Sequence, residues 1–166
     1  MNPQTEKFPH GMGMMRRKDR EVTDCAEIDS IIRAGTVMHL ALTENNIPFV
    51  VPLFYAYDGS ALFFHSASAG MKIDILKRNP VVCFAITLNH DVIENELACR
   101  FSAHYRTVIG HGRAVFIEDE AEKTDALARI VARFTDTTFI YPPGNVARTA
   151  VIRITIDSVK GKKNAG

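Results

Sequence analysis

Between Thr36 and Ser66 the sequence alternates short apolar runs with tight polar reversals, and this most narrows the folds open to the chain. Thr36 to Leu42 is one run, Glu44-Asn45-Asn46 the reversal after it, and Phe49 to Tyr57 the next run. Asp58-Gly59, a favoured two-residue hairpin pair, then leads into Ala61 to Ser66. Strands joined by turns this short run antiparallel, because a parallel crossover needs about a dozen residues or more. Further strand material follows at Val81 to Leu88, at Phe101 to Ile117 (a long strand, or a pair broken by Gly110 and Gly112) and at Ala150 to Ile156. That many strands in one small domain must close or stack to bury their apolar faces. The expectation is a mainly β fold: an antiparallel barrel with short helices at its openings.

The helices are marked by caps and periodicity. Asp24 with Glu27 reads as a capping-box start, Ile28, Ile31 and Ile32 give one apolar face, and Gly35 is a stop. A second helix is expected from about Ala69 to Arg78, ended by Asn79-Pro80. A third, from about Glu120 to Phe134, carries Leu127, Ile130, Val131 and Phe134 at i, i+3, i+4, i+7. Asn89 to Ala98 reads as a loop. Residues 1–15, rich in Met, Gly and Pro, read as a flexible lead-in to one domain over residues 16–163.

Composition removes several classes of function. Lys+Arg 20 against Asp+Glu 19 gives a net charge of +1, so no global field draws in nucleic acid or acidic lipid. The basic clusters Arg16-Arg17-Lys18 and Lys160 to Lys163 lie near chain ends and read as solvated. Cys25, Cys83 and Cys99 form no disulfide framework, and there is neither an apolar leader nor a run of the ~20 residues a membrane helix needs. The expectation is a soluble cytoplasmic protein. His10, His39, His65, His90, His104 and His111 show no metal-ligand spacing. A nucleophile elbow, a P-loop and a dinucleotide fingerprint are also missing from the sequence.

Three segments carry the remaining chemistry. In Phe63-Phe64-His65-Ser66-Ala67-Ser68-Ala69-Gly70-Met71-Lys72 a strand gives way to a helix through two hydroxyls, a glycine and a lysine. Such a turn suits an anion, above all a phosphate, and equally suits a Ser68 that only caps a helix beside a solvated Lys72. In Pro48-Phe49-Val50-Val51-Pro52-Leu53-Phe54-Tyr55 an internal proline marks an edge strand, whose backbone is free to meet a flat heterocycle or nothing at all. In Tyr105 to Arg113, Gly110 and Gly112 allow a close approach of backbone or ligand, or mark a bulge.

Taken as a series, these segments resemble the FMN-binding split-barrel (pyridoxamine 5′-phosphate oxidase-like) superfamily, and within it the nitroimidazole-resistance (5-nitroimidazole reductase) proteins. The resemblance begins at Met15 to Glu21 and runs through Val51-Pro52-Leu53, Tyr57-Asp58-Gly59, Phe64 to Ala67 and Gly70-x-Lys72. Arg78-Asn79-Pro80, Tyr105 to Val108, Gly112-Arg113-Ala114 and Gly161-Lys162-Lys163 complete it. It implies an FMN cofactor held by the backbone of Val50, Val51, Pro52, Leu53 and Phe54, by His65 and Ser66 beside the flavin, and by Lys72 on its phosphate. Thr107 and Arg113 are carried over as further cofactor contacts, and the Arg106 to Arg113 strand is implied to reach a partner's flavin.

The same resemblance implies a flavin-dependent reductase of small aromatic or nitro compounds, fed by an unidentified electron donor, with His65 as the catalytic residue that hydrogen-bonds or protonates the substrate. The alternative for His65 is a packed or solvated histidine. Oxidases of the superfamily carry Ser-Arg-Lys where this chain has Gly70-Met71-Lys72, and many reductase members carry Asn where it has Phe54. An arginine grips phosphate bidentately where lysine is a point charge, so vitamin B6 oxidation is the lesser expectation. A haem-binding split barrel and an FMN carrier without efficient catalysis are the other readings. A homodimer with flavin sites at the interface is expected, because so small a barrel has few elements to wall off three rings.

Overall fold

A computed structural model describes residues 13–164; the expected flexible lead-in lies mostly outside them. The strands are β1 (Glu21–Val22), β2 (Val37–Glu44), β3 (Ile47–Phe54), β4 (Ala56–Tyr57), β5 (Ala61–Ala67), β6 (Val81–Ile93), β7 (Ser102–Ile117) and β8 (Thr149–Asn164). The α-helices are α1 (Cys25–Ala34), α2 (Met71–Arg78), α3 (Glu120–Val131) and α4 (Pro143–Arg148), with single 3-10 turns at Lys18–Arg20 and Ala98–Arg100. Every pairing is antiparallel, and the order across the sheet is β3-β2-β6-β7-β8-β5-β4, with β1 alongside β8.

The pleat explains the core. Alternate residues of each strand point inward: Met38, Leu40 and Leu42 of β2, Leu62 and Phe64 of β5, Val82, Phe84 and Ile86 of β6, Ile152 and Ile154 of β8. Ile31 and Ile32 of α1 and Ile73, Ile75 and Leu76 of α2 join the same cluster. A sheet that curls around one core in this way leaves its other face to solvent, apart from a smaller cluster where α3 packs on it. There Ala126 and Ile130 meet Phe63, Ile117 and Val151.

Local chemistry accounts for the turns. Asn45 and Asn46, with φ of 50° and 63°, close the β2–β3 hairpin on the register Glu44↔Ile47, as a type I′ reversal requires. The next reversal sits one residue later than its sequence suggests. Asp58 anchors it: its side chain accepts from the Ser60 and Ala61 N–H groups, and its own N–H donates to the Ala61 carbonyl. Asp24 does cap α1, accepting from the Ala26 N–H at 3.1 Å, but the capping box stays half-formed because the Glu27 carboxylate turns to Lys163 at 2.9 Å.

Several boundaries differ from expectation, each for a physical reason. The run Phe49 to Tyr57 is two strands, since Tyr55 leaves the ladder to bury its ring and donate to the Ile32 carbonyl at 2.6 Å. The expected loop at 89–98 is strand as far as Ile93, its polar residues carried by main-chain pairing to β7 across a bulge between Leu88 and Asp91. Residues 102–117 form one strand, with a register shift against β8 between His111 and Gly112. β8 runs on to Asn164, so Lys160 to Lys163 lie in a paired strand and not a solvated tail. α3 ends at Val131; Phe134 lies beyond it, its ring edge-on to Phe54 at 4.9 Å between centroids. α4, opened by Pro142-Pro143, has no apolar period to announce it.

Candidate functional site

The β5–α2 junction brings together His65, Ser66 and Lys72. β5 ends at Ala67, and Gly70 enters α2 with φ 114° and ψ 166°, a conformation open essentially to glycine. No side chain caps α2, so its first N–H groups point into the junction without a protein acceptor from a cap; Ser68 does not take that role. Lys72 is half-buried, stands over the Phe64 ring at 5.8 Å from the centroid, and makes no ion pair among the described residues. Lost hydration pushes its pKa down. His65 is exposed as a residue, yet its ring is crowded: lost hydration first, and the Lys72 charge second, hold it below the ordinary value.

β3 is an edge strand, as Pro52 requires, with a partner only on the β2 side. Val51 and Leu53 pack half-buried against the core, while Val50 and Phe54, each 57% exposed, and Pro52 face outward. Opposed residues of an antiparallel pair share a face, so this face can be followed across the sheet. Val50 leads through Ala41 and Cys83 to His111; Pro52 leads through His39 and Ala85 to Ile109 and Lys160. Thr107 and Arg113 lie on the same face of β7. The Thr107 hydroxyl donates to the Ile86 carbonyl at 2.9 Å, and Arg113 Nε stands 3.9 Å from the Asp157 carboxylate.

The expected cofactor residues thus form two groups. Val50, Pro52, Phe54, Thr107 and Arg113 share the outer sheet face, while Val51 and Leu53 turn to the core. His65, Ser66 and Lys72 gather at the helix start, with His65 on the outer face through Val151 and Ile117. Among the described residues no hydrogen bond or ion pair joins one group to the other. The outer face also holds a hollow of about 300 Å³ lined by Met15, Thr107, Ile109, Lys160 and Lys162. Sequence reasoning passed over these two lysines as chain-end charge. The signal was their spacing of two, which in a strand puts both on one face, opposite Ile109 and Thr107. Among the described residues no group of three or more His, Cys, Asp or Glu could hold a metal ion, and no helix is long and apolar enough to cross a membrane.

Comparison with known proteins agrees with this architecture. The chain is 31% identical to a candidate 5-nitroimidazole antibiotic resistance protein from Bacteroides thetaiotaomicron VPI-5482, over 86% of this chain and 85% of that one, with a TM-score of 0.78. It is 25% identical to the flavocytochrome Anf3 from Azotobacter vinelandii, over 92% of this chain and 73% of that one, with a TM-score of 0.83. The FAD and heme binding protein from Mycobacterium smegmatis, 18% identical over 89% and 74% of the two chains, shares the fold at a TM-score of 0.80. An uncharacterized protein of Rhizobium meliloti (strain 1021) is 35% identical over 60 residues, 36% of this chain and 39% of that relative's length. Residues 24–163, nearly the whole described fold from the α1 cap to the end of β8, match the pyridoxamine 5′-phosphate oxidase family, and the chain belongs to it.

Proposed function

We propose that the chain is a flavin-binding oxidoreductase, with FMN as its cofactor, that reduces small nitroaromatic compounds. One observation carries the reading: an unpaired, half-buried Lys72 beside the uncapped start of α2, with His65 next to it. This set fits a flavin phosphate, because an anion there gains the Lys72 charge and the free N–H groups, and relieves the cost of holding an ammonium away from water. Bound FMN supplies the electron transfer. The edge of β3 offers main-chain groups to the heterocycle, Lys72 and the α2 N–H groups hold the phosphate, and His65 delivers a proton from its ring nitrogen to the substrate. Lost hydration first, and the Lys72 charge second, lower the His65 pKa, so near neutrality the ring is mostly neutral and offers its single ring N–H to the substrate.

A homodimer belongs to the same reading. Among the described residues no hydrogen bond or ion pair joins the two groups of cofactor residues within one chain, and Val50, Phe54 and Ile109 expose apolar surface on the outer face. A second copy against that face would cover the apolar surface and bring one chain's outer group to the other's helix start. The test starts with the spectrum of the purified protein: flavin absorbance supports the reading, and a Soret band or no chromophore overturns it. With flavin present, a chemically or enzymatically supplied reductant and a nitroaromatic acceptor should give turnover that His65→Ala lowers while FMN is retained. Turnover unchanged in that variant would remove His65 from the chemistry.

A further inference from the structure

A second basic hollow, whose lining does not include Lys72, lies where α2, α3 and α4 meet the ends of β7 and β8, partly against Ile117 and Val151 under α3. It holds about 180 Å³, with Ile73, Phe116 and Val151 among its apolar walls and Ser68, Lys77, Lys123 and Glu118 among its polar ones. Lys123 is the unusual member. It is only 9% exposed, the one charged side chain that is buried among the described residues, and it makes no hydrogen bond or ion pair through its side chain. Its Nζ is not among the fully buried side-chain atoms, so it is not sealed in the protein. The stem is therefore buried and the head meets the hollow.

Lys123 lies in the opening residues of α3, at the positive end of that helix, where a cation is disfavoured. Asp119 is committed as the α3 cap, accepting from the Glu122 N–H at 2.9 Å. Lys77 adds a second positive charge that has no ion pair, its neighbour Arg78 being the one that meets Glu44. Glu118 lines the same wall but bridges to neither lysine within 4.0 Å, and it is open to solvent. The Thr149 hydroxyl is turned to the Asn145 carbonyl at 2.9 Å, while the Ser68 hydroxyl makes no hydrogen bond among the described residues. Two ammonium groups and a hydroxyl donor around a small hollow with one apolar side constitute a receptor in want of an anion.

We propose that this hollow binds phosphate, either as the free ion or as the phosphate group of a small ester, independently of the flavin. Its volume admits a tetrahedral oxyanion with a few further atoms and no nucleotide. Phosphate oxygens accept from Lys77, Lys123 and Ser68, and Glu118 sets an opposing charge that limits affinity. The site separates from the flavin turn by side chain: Ser68 and Lys77 line it, and Lys72 does not.

The experiment is calorimetric titration of the full chain, saturated with FMN, with inorganic phosphate in a chloride buffer, repeated with glycerol phosphate. One saturable site per chain is expected. Lys123→Met should weaken it by about ten- to hundredfold, the loss of one charge-assisted contact, and Lys77→Met by a smaller factor. Glu118→Gln should tighten it by about threefold, the size of a screened charge at a surface. In protein kept saturated with FMN, Lys72→Ala should leave the phosphate affinity unchanged. Equal affinity for both probes assigns the site to the free ion, and tighter binding of the ester assigns it to an esterified phosphate. Absence of saturable binding by the wild type overturns the proposal. Equal affinity in Lys123→Met and wild type, or loss of binding in Lys72→Ala, overturns it too. Should Lys123→Met fail to fold, the opposite shifts of Lys77→Met and Glu118→Gln decide, and shifts of the same sign or none refute the site.

Discussion

At the scale of single residues, the β5–α2 junction concentrates the testable chemistry. Lys72→Ala should weaken FMN by about ten- to hundredfold while leaving riboflavin, which lacks the phosphate, nearly unaffected. Equal losses for both flavins would point to a folding defect. His65 gives a second handle. Its pKa lies below the ordinary 6.5, so between the two values the unfolded chain holds the proton that the folded chain refuses. Stability therefore falls as pH drops through that window and levels off once the folded ring is protonated too. Lys72→Met removes the second cause of the shift and should move the His65 titration upward in an NMR pH series. An unmoved titration would mean that Lys72 does not act on the ring. Lys160 and Lys162 show how a residue is misjudged from charge alone: in a strand they are half of one face, in a tail they would be solvated.

At the scale of elements, what a strand can tolerate is decided by its neighbours. A Cβ at Gly112 would stand 2.3 Å from the Thr155 carbonyl oxygen, and one at Gly110 would enter the Phe84 ring. The pair of glycines therefore serves close packing across β6–β7–β8, and the bulge at His111/Gly112 accompanies it. Gly112→Ala should cost about 1–3 kcal/mol by urea unfolding, as overpacking does where the obstacle is backbone. Gly70→Ala tests a different cause. No atom lies within 4 Å of a Cβ there, so its cost, also about 1–3 kcal/mol, is backbone strain alone. If Gly70→Ala also weakens FMN without weakening riboflavin, the α2 entrance and the phosphate are coupled. A variant as stable as wild type would remove the argument from conformation.

At the scale of the whole molecule, one face of the sheet wraps the core and the other is partly bare. Val50, Phe54, Ile109 and Val115 expose apolar surface on elements that a monomer would ordinarily cover. The expected outcome in light scattering is a mass of twice 18.5 kDa for the wild type. Ile109→Glu, on the middle of that face, should shift the population to monomer and lower flavin occupancy together. A dimer that survives with normal flavin content would locate the contact elsewhere. Mixing Lys72→Ala with Arg113→Ala chains adds a second readout: partial recovery of FMN binding in the mixture indicates sites built from two chains, and no recovery argues against them.

The antiparallel β architecture was legible in the chain because its causes are local: the Asn45-Asn46 reversal, the Asp58 turn and the alternation of Ile152, Ile154 and Ile156 are read from adjacent residues. The helix stops at Gly35 and Asn79 were legible for the same reason. The edge position of β3 followed from Pro52, which cannot serve a ladder on both sides. Other features depend on residues distant in sequence. The polar stretches 89–93 and 157–164 are strands because β7 and β1 lie beside them and satisfy their main chains. The release of Glu27 from its capping box depends on Lys163, 136 positions away. The junction of His65, Ser66 and Lys72 was contained in one stretch of sequence and could be read there. The hollow around Lys123 draws on α2, α3 and β8, elements whose nearness only the curled sheet creates, and no spacing along the chain encodes it.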